Sequence, residues 1–247
     1  MKFAILADIH GNSSALTAVL ADMAAVGIRE AVNLGDHFSG PFDAHGTAEL
    51  LMALNFPTIR GNHDRWLVEK QAADMCASDR TALAQLEPAQ LDWVRGLPST
   101  CIVFDEVFLC HGTPTSDQSY WLERVEPNGQ VRSARACEIE SEADGISASL
   151  ILCGHTHIPK IIRLRDGRVV ANPGSVGCPG YQDDMPVPHF MQTGTPNASY
   201  AIAEKVDGDW LITFRSVPYD RDVMVQLAQS NGRADWARAI ATGWVEA

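Results

Sequence analysis

The chain has 247 residues, of which 46% are hydrophobic and 20% are charged, a composition typical of a globular protein with a sizeable core. Its formal net charge of −12 argues against binding to nucleic-acid polymers or anionic membranes, because both need a basic face. No apolar run approaches the roughly 18 residues of a membrane span. The six cysteines show no C-x-x-C spacing, which predicts a cytoplasmic protein with reduced thiols.

The first half of the chain alternates between strand and helix patterns. The apolar run at residues 3–7 predicts a first strand rather than a secretory signal, because it is very short and ends at an aspartate. Asn12, Ser13 and Ser14 then offer N-cap oxygens to a helix that is predicted to end near Gly27. A second strand ends at Asp36, and a helix over residues 44–54 leads to a third strand at 56–59. This β-α-β-α-β order predicts a mostly parallel sheet with right-handed crossovers.

The remainder of the chain changes from helices to short strands with tight turns. Residues 64–95 are predicted to be helical, with Pro88 early in the last helix. The predicted strands after it are 100–104, 107–111, 149–153, 159–164, 168–171, 199–206 and 210–217. Segments 113–148 and 178–198 have weak periodicity and are predicted to be loops at the edge of the site. Helices are expected from residue 220 onwards, within one domain of residues 1–247.

Five of the predicted strands end at side chains that bind metals. The carboxyl ends of strands in α/β sheets form one edge, so we expect these side chains to converge. The candidate ligands are Asp8, His10, Asp36, Asn62, His111, His155 and His157. Carboxylate, carboxamide and neutral imidazole donors suit manganese, iron or zinc better than a thiolate set would suit them. The number of donors is sufficient for two divalent metal ions.

The candidate chemistry is hydrolysis of a phosphate ester. Asp36 has two carboxylate oxygens and is the natural bridge between the ions. Two ions ~3.5–4 Å apart can hold a hydroxide and clamp a phosphoryl group during in-line displacement. His63 follows Asn62 directly and is placed to donate a proton to the leaving group. The alternative for His63 is a supporting role behind the ligands.

The ordered motifs together resemble those of the calcineurin-like metallophosphoesterases. They are Asp8-Ile9-His10, Gly35-Asp36, Gly61-Asn62-His63-Asp64, His111-Gly112, Gly154-His155-Thr156-His157 and Asn172-Pro173-Gly174-Ser175. The resemblance implies a four-layer α/β/β/α sandwich with two mixed β-sheets, and His63 as the catalytic histidine. It implies a first ion held by Asp8, His10, Asp36 and His157. The second ion would be held by Asp36, Asn62, His111 and His155.

These observations predict a dinuclear phosphoesterase that uses metal-activated hydroxide on a low-molecular-weight phosphomonoester or phosphodiester, nucleotides included. A serine/threonine protein phosphatase is one alternative. Protein phosphatases of this superfamily carry Gly-Asp-x-x-Asp-Arg-Gly, whereas this chain has Gly35-Asp36-His37-Phe38-Ser39-Gly40-Pro41 and lacks the phosphate-clamping arginine. The other alternative is a non-catalytic scaffold of the same fold, as in a retromer subunit. The complete donor set and His63 argue against it. The oligomeric state and the native metal stay open.

Four residues close to the motifs have a structural and a functional interpretation. We expect Asp64 to orient or cap its loop rather than bind a metal, and Asn12 to cap its helix rather than touch substrate. Arg60 is expected to support its loop rather than bind phosphate. For His37, a substrate contact and an exposed loop position are equally compatible with the sequence.

Four further side chains lie outside the motifs. His45 and His189 are predicted to be ordinary surface or loop residues. Tyr120 and Trp121 follow the fourth cluster, and an aromatic pair there can stack on a nucleobase. Packing under a long loop is the expectation favoured for both.

Overall fold

A computed structural model describes residues 1–245 of the chain, so residues 246 and 247 of the predicted domain lie outside the described residues. The helices are α1 Ser13–Ala25, α2 Ala44–Met52, α3 Asn62–Glu69, α4 Ala77–Leu83, α5 Pro88–Gly96, α6 Ala136–Glu142, α7 Asp222–Ser230 and α8 Ala234–Thr242. The strands are β1 Lys2–Leu6, β2 Ala31–Asn33, β3 Cys101–Val103, β4 Val107–Leu109, β5 Glu123–Val125, β6 Val131–Ser133, β7 Leu150–Leu152, β8 Lys160–Arg163, β9 Val169–Asn172, β10 Gly180–Asp183, β11 His189–Gln192, β12 Ala198–Val206 and β13 Asp209–Val217.

The first sheet has the order β13-β12-β1-β2 and is mixed. β1 pairs in parallel with β2 but antiparallel with β12, which is close to the other end of the chain. The prediction of a mostly parallel sheet was therefore wrong, because the long β12–β13 hairpin adds antiparallel strands next to β1. The predicted third strand at 56–59 forms only a single bridge between Asn33 and Thr58.

The second sheet has the order β3-β4-β7-β9-β8 and is also mixed. Its centre is parallel, with β7 between β4 and β9, whereas the edge strands β3 and β8 run antiparallel to their neighbours. The β3–β4 hairpin turns through Phe104 and Asp105, both of which have a positive φ. Left-handed residues match the right-handed twist of the strands that such a turn connects.

The segments predicted as loops contain regular structure. Residues 113–148 contain the β5–β6 hairpin and α6, and residues 178–198 contain the β10–β11 hairpin. These strands have only three or four residues each, so their alternation is too short to be recognised. One of them also buries a charge, since Glu123 is fully buried and pairs with Lys160. A buried glutamate masks the hydrophobic pattern that a strand prediction needs.

Alternate residues of β1 belong to different hydrophobic clusters. Ala4 and Leu6 pack with Leu16 of α1, whereas Phe3 and Ile5 pack with Leu109 and other residues of the second sheet. The opposite face of that sheet packs with Ile139 of α6. The mixed α/β fold with two mixed sheets is therefore confirmed. The four-layer order stays a prediction, which these clusters support.

The helical predictions agree with the structure in outline. The predicted helical stretch 64–95 is divided into α3, a short 3-10 turn, α4 and α5, and α5 begins at Pro88 as expected. At the end of the chain, α7 and α8 pack around Phe42. None of the helices in residues 1–245 has the length and the apolarity needed to cross a lipid bilayer.

Candidate metal centre

The structure brings six of the seven candidate ligands into two neighbouring groups. Asp8, His10 and His157 form one group, and Asp36, His111 and His155 form the other. Within each group the ligand atoms lie within 4.8 Å of one another. The groups adjoin, because His111 Nε2 lies 3.9 Å from Asp8 Oδ1 and 3.1 Å from Asp36 Oδ2.

Most of these ligands have a left-handed backbone. Five of the seven have a positive φ: Asp8 (54°), His10 (52°), Asp36 (55°), His155 (68°) and His157 (61°). The only other described non-glycine residues with this conformation are Phe104, Asp105 and Asp207, all in hairpin turns. A left-handed residue costs about 1–2 kcal/mol, and such strain concentrates at functional sites. The chain thus bends sharply after each strand, which turns the side chains toward a common centre.

Three histidines are oriented by backbone carbonyls. The Nδ1–H groups of His10, His111 and His157 donate to the carbonyl oxygens of Ser39, Leu34 and Cys178, at 2.6, 2.8 and 2.7 Å. Each bond leaves the Nε2 atom as the nitrogen that can bind a metal. The Nε2 atoms of His10 and His157 are 3.1 Å apart. Two ligands of one tetrahedral ion are separated by roughly 3.3 Å when their bonds are about 2.0 Å long.

His155 is oriented in the opposite sense. Its Nε2 lies 3.0 Å from the carbonyl oxygen of Gln118, so its Nδ1 is the nitrogen available to the second group. Its backbone N–H donates to both carboxylate oxygens of Asp8 at 3.2 and 3.1 Å. These hydrogen bonds connect the group that contains Asp8 with the group that contains His155.

Asn62 carries a buried oxygen that fits the role of a cation ligand. Its Oδ1 atom is buried without a hydrogen-bond partner among the described residues, and the residue is 2% exposed. A buried acceptor without a partner costs about 1–3 kcal/mol. A metal ion next to Asp36 removes that cost. Gly61 permits the approach, because a Cβ atom there would lie 2.2 Å from Asp36 Oδ1.

The two carboxylates and four histidines strongly influence one another. Burial works to raise the pKa of Asp36, but the nearby His111 and His63 hold it well below its usual value. Burial lowers the pKa of His111, yet Asp36 raises it to about 9, and Asp8 similarly raises the pKa of His157 to about 10. Burial together with a neighbouring histidine lowers the pKa of His10 and of His155 to about 4. Cation binding must therefore displace protons from His111 and His157.

Asp64 holds the loops that carry the ligands. Its carboxylate accepts the backbone N–H groups of Asp36, His37 and Gly61, at 2.7, 2.9 and 2.9 Å. The predicted orienting role of Asp64 is thus confirmed. His37 is completely buried, 2.8 Å from Asp64, and packs against Trp93, so neither an exposed position nor a substrate contact fits it.

The other neighbouring predictions are mostly confirmed. Asn12 caps α1 by accepting the Ala15 N–H at 3.0 Å. Arg60 lies 3.7 Å from Glu69 and does not line the cleft. His45 is partly exposed beside Glu49. The prediction for His189 was wrong, since it is 2% exposed and its Nε2 lies 3.1 Å from the Tyr120 hydroxyl.

His63 lies beside the two donor groups. It contacts Asp79, a residue that the sequence analysis did not predict to be functional. Its Nδ1 lies 2.7 Å from Oδ1 of Asp79, a fully buried carboxylate on α4. Ser39 Oγ donates to the same oxygen at 2.6 Å. Burial lowers the pKa of His63, but Asp36 and Asp79 raise it above its ordinary value overall. Asp79 escaped prediction because an aspartate in the first turn of a helix is an ordinary helix feature.

A cleft of about 860 Å³ opens onto the centre. Its walls include four aromatic residues: Trp66, Tyr120, Tyr181 and Trp236. Tyr120 lies with its ring 5.1 Å from that of His155, and its hydroxyl contacts Asp183 and Tyr181. Tyr120 thus packs against neighbouring side chains and also lines the cleft, so its stacking on a nucleobase stays a prediction. The packing prediction is confirmed for Trp121, which is buried and donates to the carbonyl of Ile139.

Comparison with known proteins identifies the family. Residues 1–195 match the model of the calcineurin-like phosphoesterase superfamily domain. The chain belongs to the calcineurin-like phosphoesterase superfamily. It is therefore a phosphoric ester hydrolase of a metal-dependent family, and the two donor groups are its candidate metal ligands. Trp236 and α8 lie beyond the matched residues.

Similar proteins extend over nearly the whole chain. An uncharacterized protein of Methanocaldococcus jannaschii is 26% identical over 94% of this chain and 94% of its own length. The crystal structure of a metallophosphoesterase from Sphaerobacter thermophilus has a TM-score of 0.76 at 24% identity, covering 99% of this phosphoesterase and 100% of the other chain. A hypothetical protein from Pyrococcus horikoshii OT3 has a TM-score of 0.76 at 18% identity, covering 99% of each chain. The two structures confirm the fold.

Proposed function

We propose that this phosphoesterase holds two divalent ions and hydrolyses a low-molecular-weight phosphate ester, with a preference for phosphodiesters. The observation that carries the proposal is the pair of adjoining donor groups at the base of the cleft, with His63 beside them. Asp8, His10, Asp36 and His157 are assigned to the first ion. Asp36, Asn62, His111 and His155 are assigned to the second.

Manganese or iron fits this donor set well, since the set contains only oxygen and imidazole ligands. Such ions supply activation of water near neutral pH and stabilisation of charge on the phosphoryl oxygens. The protein's part is to fix its ligands before the ions arrive. The carbonyl-bound histidines and the Asp64-bound loops support this role, because both limit rearrangement on binding.

His63 is assigned the role of general acid. Its Nδ1 is occupied by Asp79, so Nε2–H is the proton available to a leaving oxygen. Asp36 and Asp79 raise the pKa of His63, which favours the protonated imidazole that a general acid requires. The side chain is about one quarter exposed and lines the cleft, which gives a substrate access to it.

The charges of the cleft walls support a diester preference. Outside the metal groups and the His63–Asp79 pair, the charged wall residues are Arg124, Arg233, Asp183 and Asp235, which sum to zero. Arg233 is also engaged by both carboxylate oxygens of Asp235. A monoester carries one more negative charge than a diester, and these walls provide no net positive charge to balance it. The aromatic walls suit a substrate with a planar group, such as a nucleobase.

The alternatives are less well supported. A protein phosphatase would need a clamp for a dianionic phosphoryl group, and the second motif lacks its arginine. A non-catalytic scaffold would have no need for six strained or carbonyl-oriented ligands around His63. We also propose a cytoplasmic protein, because all six cysteines are free and three of them are buried.

The test compares hydrolysis of bis(p-nitrophenyl) phosphate and p-nitrophenyl phosphate by protein loaded with Mn²⁺ or Fe²⁺. We expect activity with both, higher kcat/KM for the diester, and loss of activity in Asp36→Asn. Activity that persists without metal and in Asp36→Asn would refute the dinuclear mechanism. A higher kcat/KM for the monoester would refute only the diester preference.

A further inference from the structure

A third group of metal-type donors lies at the cleft wall, outside the seven candidate ligands. It consists of His63, Cys76 and Asp79, whose ligand atoms lie within 4.8 Å of one another. We propose that these three residues form a separate site for a thiophilic divalent cation such as Zn²⁺, and that its occupation inhibits the enzyme. Imidazole, thiolate and carboxylate are the ligands that zinc binds, and three protein ligands leave a fourth position for water.

Asp79 has a buried carboxylate oxygen that is available to a cation. The residue is completely buried, and its Oδ2 atom has no hydrogen-bond partner among the described residues. Its other oxygen already receives Ser39 and contacts His63. A buried carboxylate oxygen without a partner costs free energy, and a bound cation would remove that cost.

Cys76 makes the site accessible and gives it metal selectivity. Its side chain lines the same cleft as His63, so an ion that enters the cleft meets the thiol. The two donor groups at the base of the cleft contain no cysteine. A cation with a strong preference for thiolate, such as Cd²⁺, should therefore bind this site rather than the centre, whose oxygen and imidazole donors also suit Mn²⁺ and Fe²⁺.

Nearby cations do not exclude an ion from the site. Arg233 donates to Ser78 but is neutralised by Asp235. Arg80 directs a donor at the carbonyl oxygen of Met75. Burial and the Asp79 carboxylate raise the pKa of the Cys76 thiol, so a bound ion has to displace its proton. The resulting thiolate and the Asp79 carboxylate carry two negative charges, which balance one divalent cation when His63 is neutral. The thiol and His63 release their protons to solvent as the ion binds.

Inhibition follows from the use of His63 as a ligand, and this part rests on the proposed function. Coordination replaces the hydrogen bond between His63 Nδ1 and Asp79 that orients the imidazole toward the cleft. An imidazole held by the ion is then no longer fixed by Asp79 in the position from which the proposed acid step uses it. Binding itself does not depend on any catalytic role of His63.

The test uses Cd²⁺ with Mn²⁺-saturated protein, because a cadmium–thiolate bond produces an ultraviolet charge-transfer band. The variant is Cys76→Ser and the matched control is Cys137→Ser, which removes another exposed thiol on α6. Cys76 is the N-cap residue of α4 and makes no capping hydrogen bond. Serine is favoured at that position, so this variant is expected to fold.

We expect the band in the wild type and in Cys137→Ser, and its absence in Cys76→Ser. Zn²⁺ should slow alkylation of Cys76 by iodoacetamide at least about tenfold, measured by mass spectrometry, and Asp79→Asn should weaken Cd²⁺ binding by at least about tenfold. Absence of the band in the wild type, or its persistence in Cys76→Ser, would overturn the proposal. Neither readout requires hydrolysis, so a protein that shows the band without phosphoesterase activity refutes only the proposed function.

Discussion

Oδ1 of Asp79 lies 2.7 Å from Nδ1 of His63 and joins the first turn of α4 to the first turn of α3. Ser39, from the loop after Asp36, donates to the same oxygen. His63 also donates its backbone N–H to Asp36 at 3.0 Å. The candidate acid is therefore fixed relative to a metal ligand at two points, one through its backbone and one through its ring.

Asp79→Asn is expected to move the pH dependence of kcat as well as its magnitude. Asp79 raises the pKa of His63, so its removal lowers that pKa and the acid form is lost at lower pH. The alkaline limb of the kcat profile should shift toward acid, and kcat should fall by about 10- to 100-fold. The measurement is a pH–rate profile, with the exposed Asp74→Asn as the matched control. A profile that falls uniformly without shifting would contradict this role.

His63→Ala is expected to reduce kcat more than it affects KM. Loss of a general acid typically costs about 10²–10⁴-fold in rate. The reduction should be smaller for a diester with a good leaving group, because a p-nitrophenolate needs little protonation. Steady-state kinetics with bis(p-nitrophenyl) phosphate and with an alkyl diester give the comparison. An equal loss for both leaving groups would argue that His63 supports the centre without donating a proton.

Asn62→Ala is expected to separate metal binding from folding. The substitution removes a side-chain carbonyl that has no hydrogen-bond partner in the metal-free protein. The thermal stability of the metal-free variant should therefore change little. Its stabilisation by Mn²⁺ should be much smaller, whereas the wild type gains about 2.7 kcal/mol at a free ion concentration of 100 times Kd. Thermal unfolding with and without Mn²⁺ measures both, and the exposed Asn128→Ala is the control. Equal stabilisation by Mn²⁺ in variant and wild type would exclude Asn62 as a ligand.

Metal affinity is expected to rise with pH. The pKa values of about 9 for His111 and about 10 for His157 mean that both are protonated near pH 7 in the absence of metal. Each proton that an ion displaces makes the affinity increase up to about tenfold per pH unit below those values. Calorimetric titration with Mn²⁺ between about pH 6 and pH 8 tests this. The expectation fails if Kd is constant over that interval.

Trp236→Ala is expected to raise KM for nucleotide-type diesters. The indole lies 5.6 Å from the ring of His10, lines the cleft and belongs to the C-terminal helix α8. Loss of one stacking surface should cost roughly 1–3 kcal/mol, which raises KM by about 5- to 150-fold with a smaller change in kcat. Trp236→Phe should recover most of the affinity. An unchanged KM in Trp236→Ala would show that the aromatic group of the substrate does not stack on Trp236.

Part of this centre follows from local sequence. Asp8, Asp36 and His111 each lie two or three residues after the end of β1, β2 and β4, and the edge rule for α/β sheets is sufficient to bring such residues together. Hairpins such as the one at Asp207 were also predictable, because their turn chemistry is local.

The remainder depends on contacts distant in sequence. The pairing of β1 with β12 makes the first sheet mixed, and no local sequence pattern indicates which strand pairs with β1. Asp79 and Tyr120 acquire their positions through tertiary packing, since neither belongs to a motif or an apolar run. The short hairpins around the cleft were missed because three- or four-residue strands have too little alternation to detect.

Asp36 is proposed to lie between two cations at the base of the cleft. Anomalous diffraction at the manganese edge from crystals of Mn²⁺-loaded protein tests this arrangement. We expect two peaks ~3.5–4 Å apart, one against Asp8 and His10 and the other against Asn62 and His111. A single peak, or peaks remote from Asp36, would contradict it.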